Sequence, residues 1–256
     1  MTGAPTGGPV PGLVPGVVSV ALMLALWAVA AAVLDTPRSL PGPAAVAARV
    51  AGLVMSGELW LHAGMTLMRV LAAFVLAMTL GVGLGLWMGR SRGADHWLNP
   101  ALVIALNMPA LVVIVLAYIW IGLNEAAAIA LNKIPLVTVM LREGARALRP
   151  DLDEMAAAFR MSRLDRLRHV VLPQLAPHVA AAARAGISLI WKIVLVVEFL
   201  GRSNGVGFKI HLLFSSFDVA GVLAWALAFV AVMLAIDIGL LRRWEARANR
   251  WRRDAA

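Results

Sequence analysis

The chain contains no cysteine. Disulfides and thiolate metal sites are excluded with it, and redox compartment cannot be read from this feature. Charge is scarce: 14% of the 256 residues are Asp, Glu, Lys or Arg, against about a quarter in an average soluble domain. With 61% hydrophobic residues and a mean hydropathy of +0.84, the chain has too little polar surface to cover a soluble core, so lipid must be its solvent. There is no G-x-x-x-x-G-K-[ST] phosphate loop, so ATP chemistry must happen elsewhere. His62, His169, His178 and His211 show no H-x-x-x-H spacing, which argues against a metal site. Ser188, Ser203 and Ser215 lack a nucleophile setting, and no catalytic constellation is visible.

What is present is long apolar runs. Residues 12–34, 70–89, 97–124 and 219–236 hold no Asp, Glu, Lys, Arg or His. A spanning helix needs about 20 such residues, and a backbone in hydrocarbon must satisfy its own hydrogen bonds. The runs lack period-2 alternation, which selects helices over a barrel. Six spans are predicted, at 13–34, 66–89, 100–122, 126–147, 179–200 and 219–241. Residues 41–60 are too short and too polar-edged to span and predict an interfacial helix on the outer side. The first 16 residues are rich in Gly and Pro and carry no basic n-region. The apolar run that follows is therefore expected to be a retained first helix, not a cleaved signal. Gly81 and Gly85 form a small-xxx-small face that lets helix backbones approach closely.

The formal net charge of +9 suggests nucleic acid until the charges are placed. With both termini inside, fifteen of the 23 basic residues face the cytoplasm: two after the second span, seven from Arg142 to Arg168 and six from Arg242 to Arg253. Five face outward: Arg38, Arg49, Arg69, Arg202 and Lys209. That asymmetry satisfies the positive-inside rule, so the basic tail is an orientation signal and a lipid-headgroup contact, with no nucleic-acid role.

The segment 151–177, DLDEMAAAFRMSRLDRLRHVVLPQLAP, lies between two spans and is polar, basic and helically periodic. Leu164, Leu167 and Val171 predict an apolar stripe, Pro150 precedes one helix and Pro173 ends another. A connection of this length is rarely structureless without a task, which points to a short helix presented to a partner.

Glu154-Met155-Ala156, followed by Val170-Val171-Leu172-Pro173, resembles the EAA loop of bacterial ABC-transporter permeases. Met155 stands where that motif has its first Ala, and Arg160 where it has the Gly that normally permits a tight turn. Further segments are similar to the nitrate, sulfonate and taurine subfamily, over roughly residues 55–250. They are Trp60-Leu61-His62 with Thr66 to Val70, Gly89 to Arg92, Trp120-Ile121-Gly122-Leu123, and WKIVLVVEFLG at 191–201 with Ser203 to Gly207.

The resemblance implies an all-α membrane protein of the type I importer permease kind, with about six transmembrane helices and a cytoplasmic coupling helix. It implies a 1–12 tail, a first helix and outer segment over 13–60, a permease core over 61–241 and a basic cytoplasmic tail over 242–256. It implies a bacterial inner-membrane location and import of a small, anionic organic solute such as a sulfonate, taurine or nitrate. The partners implied are a second permease copy, two ABC ATPase subunits that hold ATP and magnesium, and a periplasmic or lipoprotein substrate-binding protein. This chain itself carries no cofactor. The residues carried over to ATPase coupling are Glu154, Ala156, Arg160, Met161, Ser162, Arg163, Leu164, Leu167, Leu172 and Pro173. Two alternatives stand beside this reading: a permease for a vitamin precursor such as a pyrimidine, and a polytopic membrane enzyme or scaffold without transport. A scaffold has no need of the 154–173 motif, and an enzyme needs clustered carboxylates or histidines, which are absent.

Ionisable residues inside spans are costly and therefore mark function. Asn132, Lys133, Lys192 and Glu198 are the pathway candidates. Lys133 has two readings: it snorkels or bonds the Leu131 carbonyl freed by Pro135, or it lines the pathway and attracts an anion. Lys192 and Glu198 lie six residues apart, about 240° around a helix, so they do not pair locally. Glu198 matches a Glu that the subfamily usually has, which implies a structural or gating role. Asp237 is expected to pair with Arg242 or Arg243, or to reach the interface.

Overall fold

The computed structural model describes residues 13–121 and 125–241. The two tails, Gly122-Leu123, Arg242 and Arg243 lie outside the described residues, and with them the expectations placed there. The elements are helices α1 (Leu13–Leu34), α2 (Pro43–Met55), α3 (Glu58–Arg90), α4 (Arg92–Asn107), α5 (Ala110–Ile121) and α6 (Glu125–Arg146). They continue with α7 (Pro150–Ala158), α8 (Arg163–Arg166), α9 (Leu172–Gly201), α10 (Val206–Ser215) and α11 (Val219–Ile236). Two π turns, Leu167–Val171 and Asp237–Leu241, interrupt the helical course. Among the described residues there is no strand.

The centre of the molecule is α3 beside α6. Their contact is made by absent side chains: a Cβ on Gly81 would lie 2.6 Å from Val137 Cβ, one on Gly85 2.7 Å from Leu141 Cβ, and one on Gly89 2.5 Å from Ala145 Cβ. The glycines recur every four residues, and their partners advance in step, so the two helices run parallel. Gly83, two residues from its neighbours in that row and so on the opposite face, meets nothing within 4 Å. Ala73 and Ala77 of α3, Ile129 and Ala130 of α6, and Ile190, Val194 and Val197 of α9 complete a dry core.

Parallel α3 and α6 dictate the course between them: the chain must cross back, and α4 with α5 does so. Here the predicted third span is corrected. It is not one helix over 100–122 but two, meeting at 106°. The cause is Pro109, which biases Met108 to extended backbone (ψ 130) and stops α4 at Asn107. Among the described residues four helices are long and apolar enough to cross a membrane, or five with the bent pair taken as one span. α6 falls short of that apolarity because it is sheathed by α3, α5 and α9 and presents little surface to lipid. The predicted interfacial segment is α2, packed on α11 and α3.

α3 begins eight residues before the predicted span, at Glu58. The extension carries Glu58 and His62, and Thr66 and Arg69 follow at the start of the predicted span; each of the four bonds a residue of the 198–209 region. α9 runs antiparallel to α3, with Glu198 against Thr66 and Arg69. Pro173 does not end a helix. It sits in the first turn of α9, in a helical run unbroken from Arg163 to Gly201. The π turn at 167–171 makes this possible: Leu172 N donates to Leu167 O, five residues back, so the chain widens before the proline that has no N–H to give.

Candidate functional site

The molecule has two polar ends, and the sequence-predicted residues divide between them. One end carries α7 and α8. Pro150 opens α7 and Asp151 and Asp153 lie in its first turn, where carboxylates suit the positive helix terminus. α7 closes at Arg160, the position where the resembled motif has Gly. Arg160 takes the left-handed conformation, with φ 49, and the turn is kept. Arg160 N donates to Ala157 O and Met161 N to Ala156 O, both at 3.0 Å, the pair of bonds that ends a helix on a left-handed residue. Ser162 then caps α8: its Oγ accepts from Asp165 N at 3.1 Å and donates to Asp165 Oδ2 at 2.6 Å.

Arg166 ties the two short helices together. It reaches Asp153 through Nε at 3.1 Å and Nη2 at 2.8 Å, a fork that holds the Asp153 carboxyl below the usual carboxylate range. The Arg149 amide donates to Gln174 Oε1 at 3.0 Å and anchors the segment to α9. Ala156 is buried, and Glu154 is exposed without a partner among the described residues. The expected Leu164–Leu167–Val171 stripe does not form as one face. The π turn rotates the register, so that Val171 enters the core at 1% exposure while Leu164 (72%) and Leu167 (40%) stay outside. Phe159, at 77%, is a third exposed large apolar side chain of this segment, and Arg163 and Arg168 are exposed in the same stretch. Arg90 from the foot of α3 meets Asp153, Arg163 and Arg166 around a hollow of about 550 Å³. Beside it, Asp95 of α4 bridges Arg142 (3.2 Å) and Arg146 (2.6 Å) of α6.

At the opposite end Glu198 is fully buried. Its carboxylate accepts from Arg69 Nη1 at 2.6 Å, Thr66 Oγ1 at 2.9 Å and the Gly207 amide at 2.9 Å. Arg69 continues to Asn204 Oδ1, Thr66 Oγ1 accepts the Val206 amide at 2.9 Å, and His62 Nδ1 accepts the Gly205 amide at 3.1 Å. Gly205 has φ +104, and any Cβ there would strike the Glu198 carboxylate. The Ser-Asn-Gly-Val-Gly turn is thus shaped around one carboxylate, and α3, about 130 residues away in sequence, closes on both. Lys209 pairs with Glu58 and Arg49 with Asp218 on the same end.

The pathway candidates do not converge. Glu198 is locked in this cluster, whereas Lys192, on the other face of α9, is exposed and stands 5.8 Å from the Trp191 ring centroid. Asn132 and Lys133 are half-buried on α6, and Lys133 bonds no described residue. Asp237 lies 4.0 Å from Arg184, a partner that spacing did not suggest. Tyr118 and Thr138 carry buried hydroxyls without a partner among the described residues. Arg69 and Asn204 were missed as a unit, since no short-range spacing links them.

The family described as binding-protein-dependent transport system inner membrane component matches residues 77–244. A permease of Escherichia coli strain K12 named for aliphatic sulfonates transport, SsuC, is 30% identical over 187 residues, 71% of each chain. Its Bacillus subtilis strain 168 namesake is 27% identical over 216 residues, 83% of this chain and 78% of the relative. The taurine transport system permease protein TauC of E. coli K12 is 25% identical over 233 residues, 88% and 84% of the two chains. Among solved structures, an inward-facing MetNI methionine ABC transporter shares the fold, with a TM-score of 0.61 at 16% identity, covering 77% of this chain and 97% of the other.

Proposed function

The chain belongs to the family of binding-protein-dependent transport system inner membrane components and is a permease subunit of an ABC importer, not an enzyme; from that premise we propose that it imports a small anionic organic solute of the sulfonate or taurine kind. The names of the relatives support that solute class. The end bearing α7 and α8 lies in the cytoplasm together with both termini, in keeping with the fifteen basic residues on that side. Two ATPase subunits, which hold ATP and magnesium, dock there. A substrate-binding protein delivers solute at the Glu198 end, and a second copy of this chain completes the pathway by alternating access.

The observation that carries the reading is the exposed apolar surface of Phe159, Leu164 and Leu167, held by a capped turn and the Arg166–Asp153 fork. Among the described residues these three side chains stay exposed. Leu167→Glu would bury an unpaired carboxylate in the docked contact, at about 3 kcal/mol or a hundredfold weaker docking. Solute-stimulated ATP hydrolysis by the assembled transporter is expected to be lost while the permease still inserts. Full stimulation by that variant would rule the docking out.

A further inference from the structure

A cavity of about 300 Å³ opens between α9 and α11, within the thickness of the spans. Its polar wall is one face of α9, where Arg184, Ser188 and Lys192 follow at four-residue intervals. Trp191 and Met233 supply apolar wall, and Asp237 closes the end beside Arg184 at 4.0 Å. Lys192 lies nine residues before Gly201, about 13 Å along the helix, which is close to mid-depth in a hydrocarbon layer of about 30 Å. It makes no ion pair or hydrogen bond with a described residue, and its ammonium rests by the Trp191 ring. The lining therefore sets two cations against one carboxylate, and that carboxylate sits at the far end from Lys192.

A cation at this depth calls for a counter-charge or water. The cavity is at the small end of ligand sites, sized for a short molecule. We propose that it is an oxyanion site, taking a tetrahedral sulfonate or phosphate head between Lys192 and Arg184 and a short apolar tail against Trp191 and Met233. This rests on the reading of the chain as a permease for sulfonate-type solutes and names the place where such a solute is held. The same chemistry would admit the phosphate head of an anionic lipid, so the test separates the two sources.

Because the chain has no cysteine, Ser188→Cys introduces a sole thiol inside the cavity. The full-length chain is placed in phosphatidylcholine nanodiscs. Its labelling rates are compared for a methanethiosulfonate bearing ethylsulfonate and for one bearing ethyltrimethylammonium. Ethanesulfonate is expected to slow labelling by the sulfonate reagent. The sulfonate-to-ammonium rate ratio is expected to fall about tenfold on adding Lys192→Gln, since one unit charge about 6 Å away is removed, and to be kept by Lys192→Arg. Protection by phosphatidylglycerol but not by ethanesulfonate would assign the oxyanion to lipid and uphold the site. A ratio indifferent to Lys192→Gln, or a thiol that neither ethanesulfonate nor phosphatidylglycerol protects, overturns it. The competition on Ser188→Cys alone needs no lysine variant and stands even if Lys192→Gln does not fold. No ATPase enters the measurement. Failed sulfonate uptake by the assembled transporter with the labelling pattern intact would therefore fault the solute reading and not the site.

Discussion

Replacing Arg69 with Met tests what holds the Glu198 end together. Glu198 is fully buried, and Arg69 is the cation that bonds it, at 2.6 Å with 17% of its own side chain exposed. Removing the arginine strips the buried carboxylate of the cation that bonds it and leaves it a hydroxyl and an amide, a loss of about 3–5 kcal/mol. Glu198→Gln keeps the volume and costs less, about 1.5–3 kcal/mol, because a charge-assisted bond becomes a neutral one. The double variant carries neither charge. Its loss should fall short of the summed single losses by about 2 kcal/mol or more, the signature of a coupled pair. In a chain of this size each kcal/mol moves the melting midpoint by about 2–4 °C, so Arg69→Met is expected to melt about 6–20 °C low. The assay is thermal unfolding of the purified chain in one detergent, read by size-exclusion fluorescence for all four members of the cycle. An Arg69→Met midpoint within about 2 °C of the parent, or losses that simply add, would refute the argument.

Gly81→Ala and Gly83→Ala lie two residues apart, about 200° around the helix, and should differ sharply in stability. The first drives a methyl to 2.6 Å from Val137 Cβ and should destabilise by about 1–3 kcal/mol, while the second meets nothing and should be near neutral; equal melting midpoints would discredit the parallel α3–α6 packing. The Asp153–Arg166 fork is pH-dependent in one direction. Because Arg166 lowers the Asp153 carboxyl, its contribution is present above the ordinary carboxylate value of about 4 and is lost as pH falls through the lowered folded value. The pair is 31% and 43% exposed, so the effect is under about 1 kcal/mol. Amide exchange across residues 150–162 should quicken in Asp153→Asn at neutral pH, and unchanged exchange would show that the fork holds nothing. In outer-permeabilised cells, an impermeant thiol reagent should label Ser203→Cys but not Ala256→Cys; the reverse pattern inverts the orientation.

Much of the helical frame was legible because lipid imposes a length and a composition. Predicted bounds of 13–34, 126–147 and 219–241 meet helices at Leu13–Leu34, Glu125–Arg146 and Val219–Leu241, the last ending in a π turn. The third span was misread because hydropathy is blind to direction. Its apolar run is continuous, and only Pro109 signals that the chain turns there. Glu154 to Pro173 was legible as a motif, but the outcome at Arg160 was not. Whether a side chain tolerates a left-handed φ depends on the hydrogen bonds around it, here the two amides of Arg160 and Met161. The Glu198 cluster was illegible for a different reason: Arg69 is 129 residues away, and helical spacing speaks only of neighbours within a few turns.

The unbroken helical run from Arg163 to Gly201 has a mechanical consequence. Its 39 residues make a rod of about 58 Å. One tip carries the exposed Leu164 and Leu167, and near the other lies Glu198. A lever of that length converts a tilt of about 5° at Arg163 into a swing of about 5 Å at Gly201, enough to part side chains that now touch. Such a lever transmits only as stiffly as its weakest segment, and the weak segment is the widened turn at 167–171, placed next to the point where force would enter. If force enters at that end as proposed, the five residues Leu167 to Val171 would set how far a tilt there moves the other end.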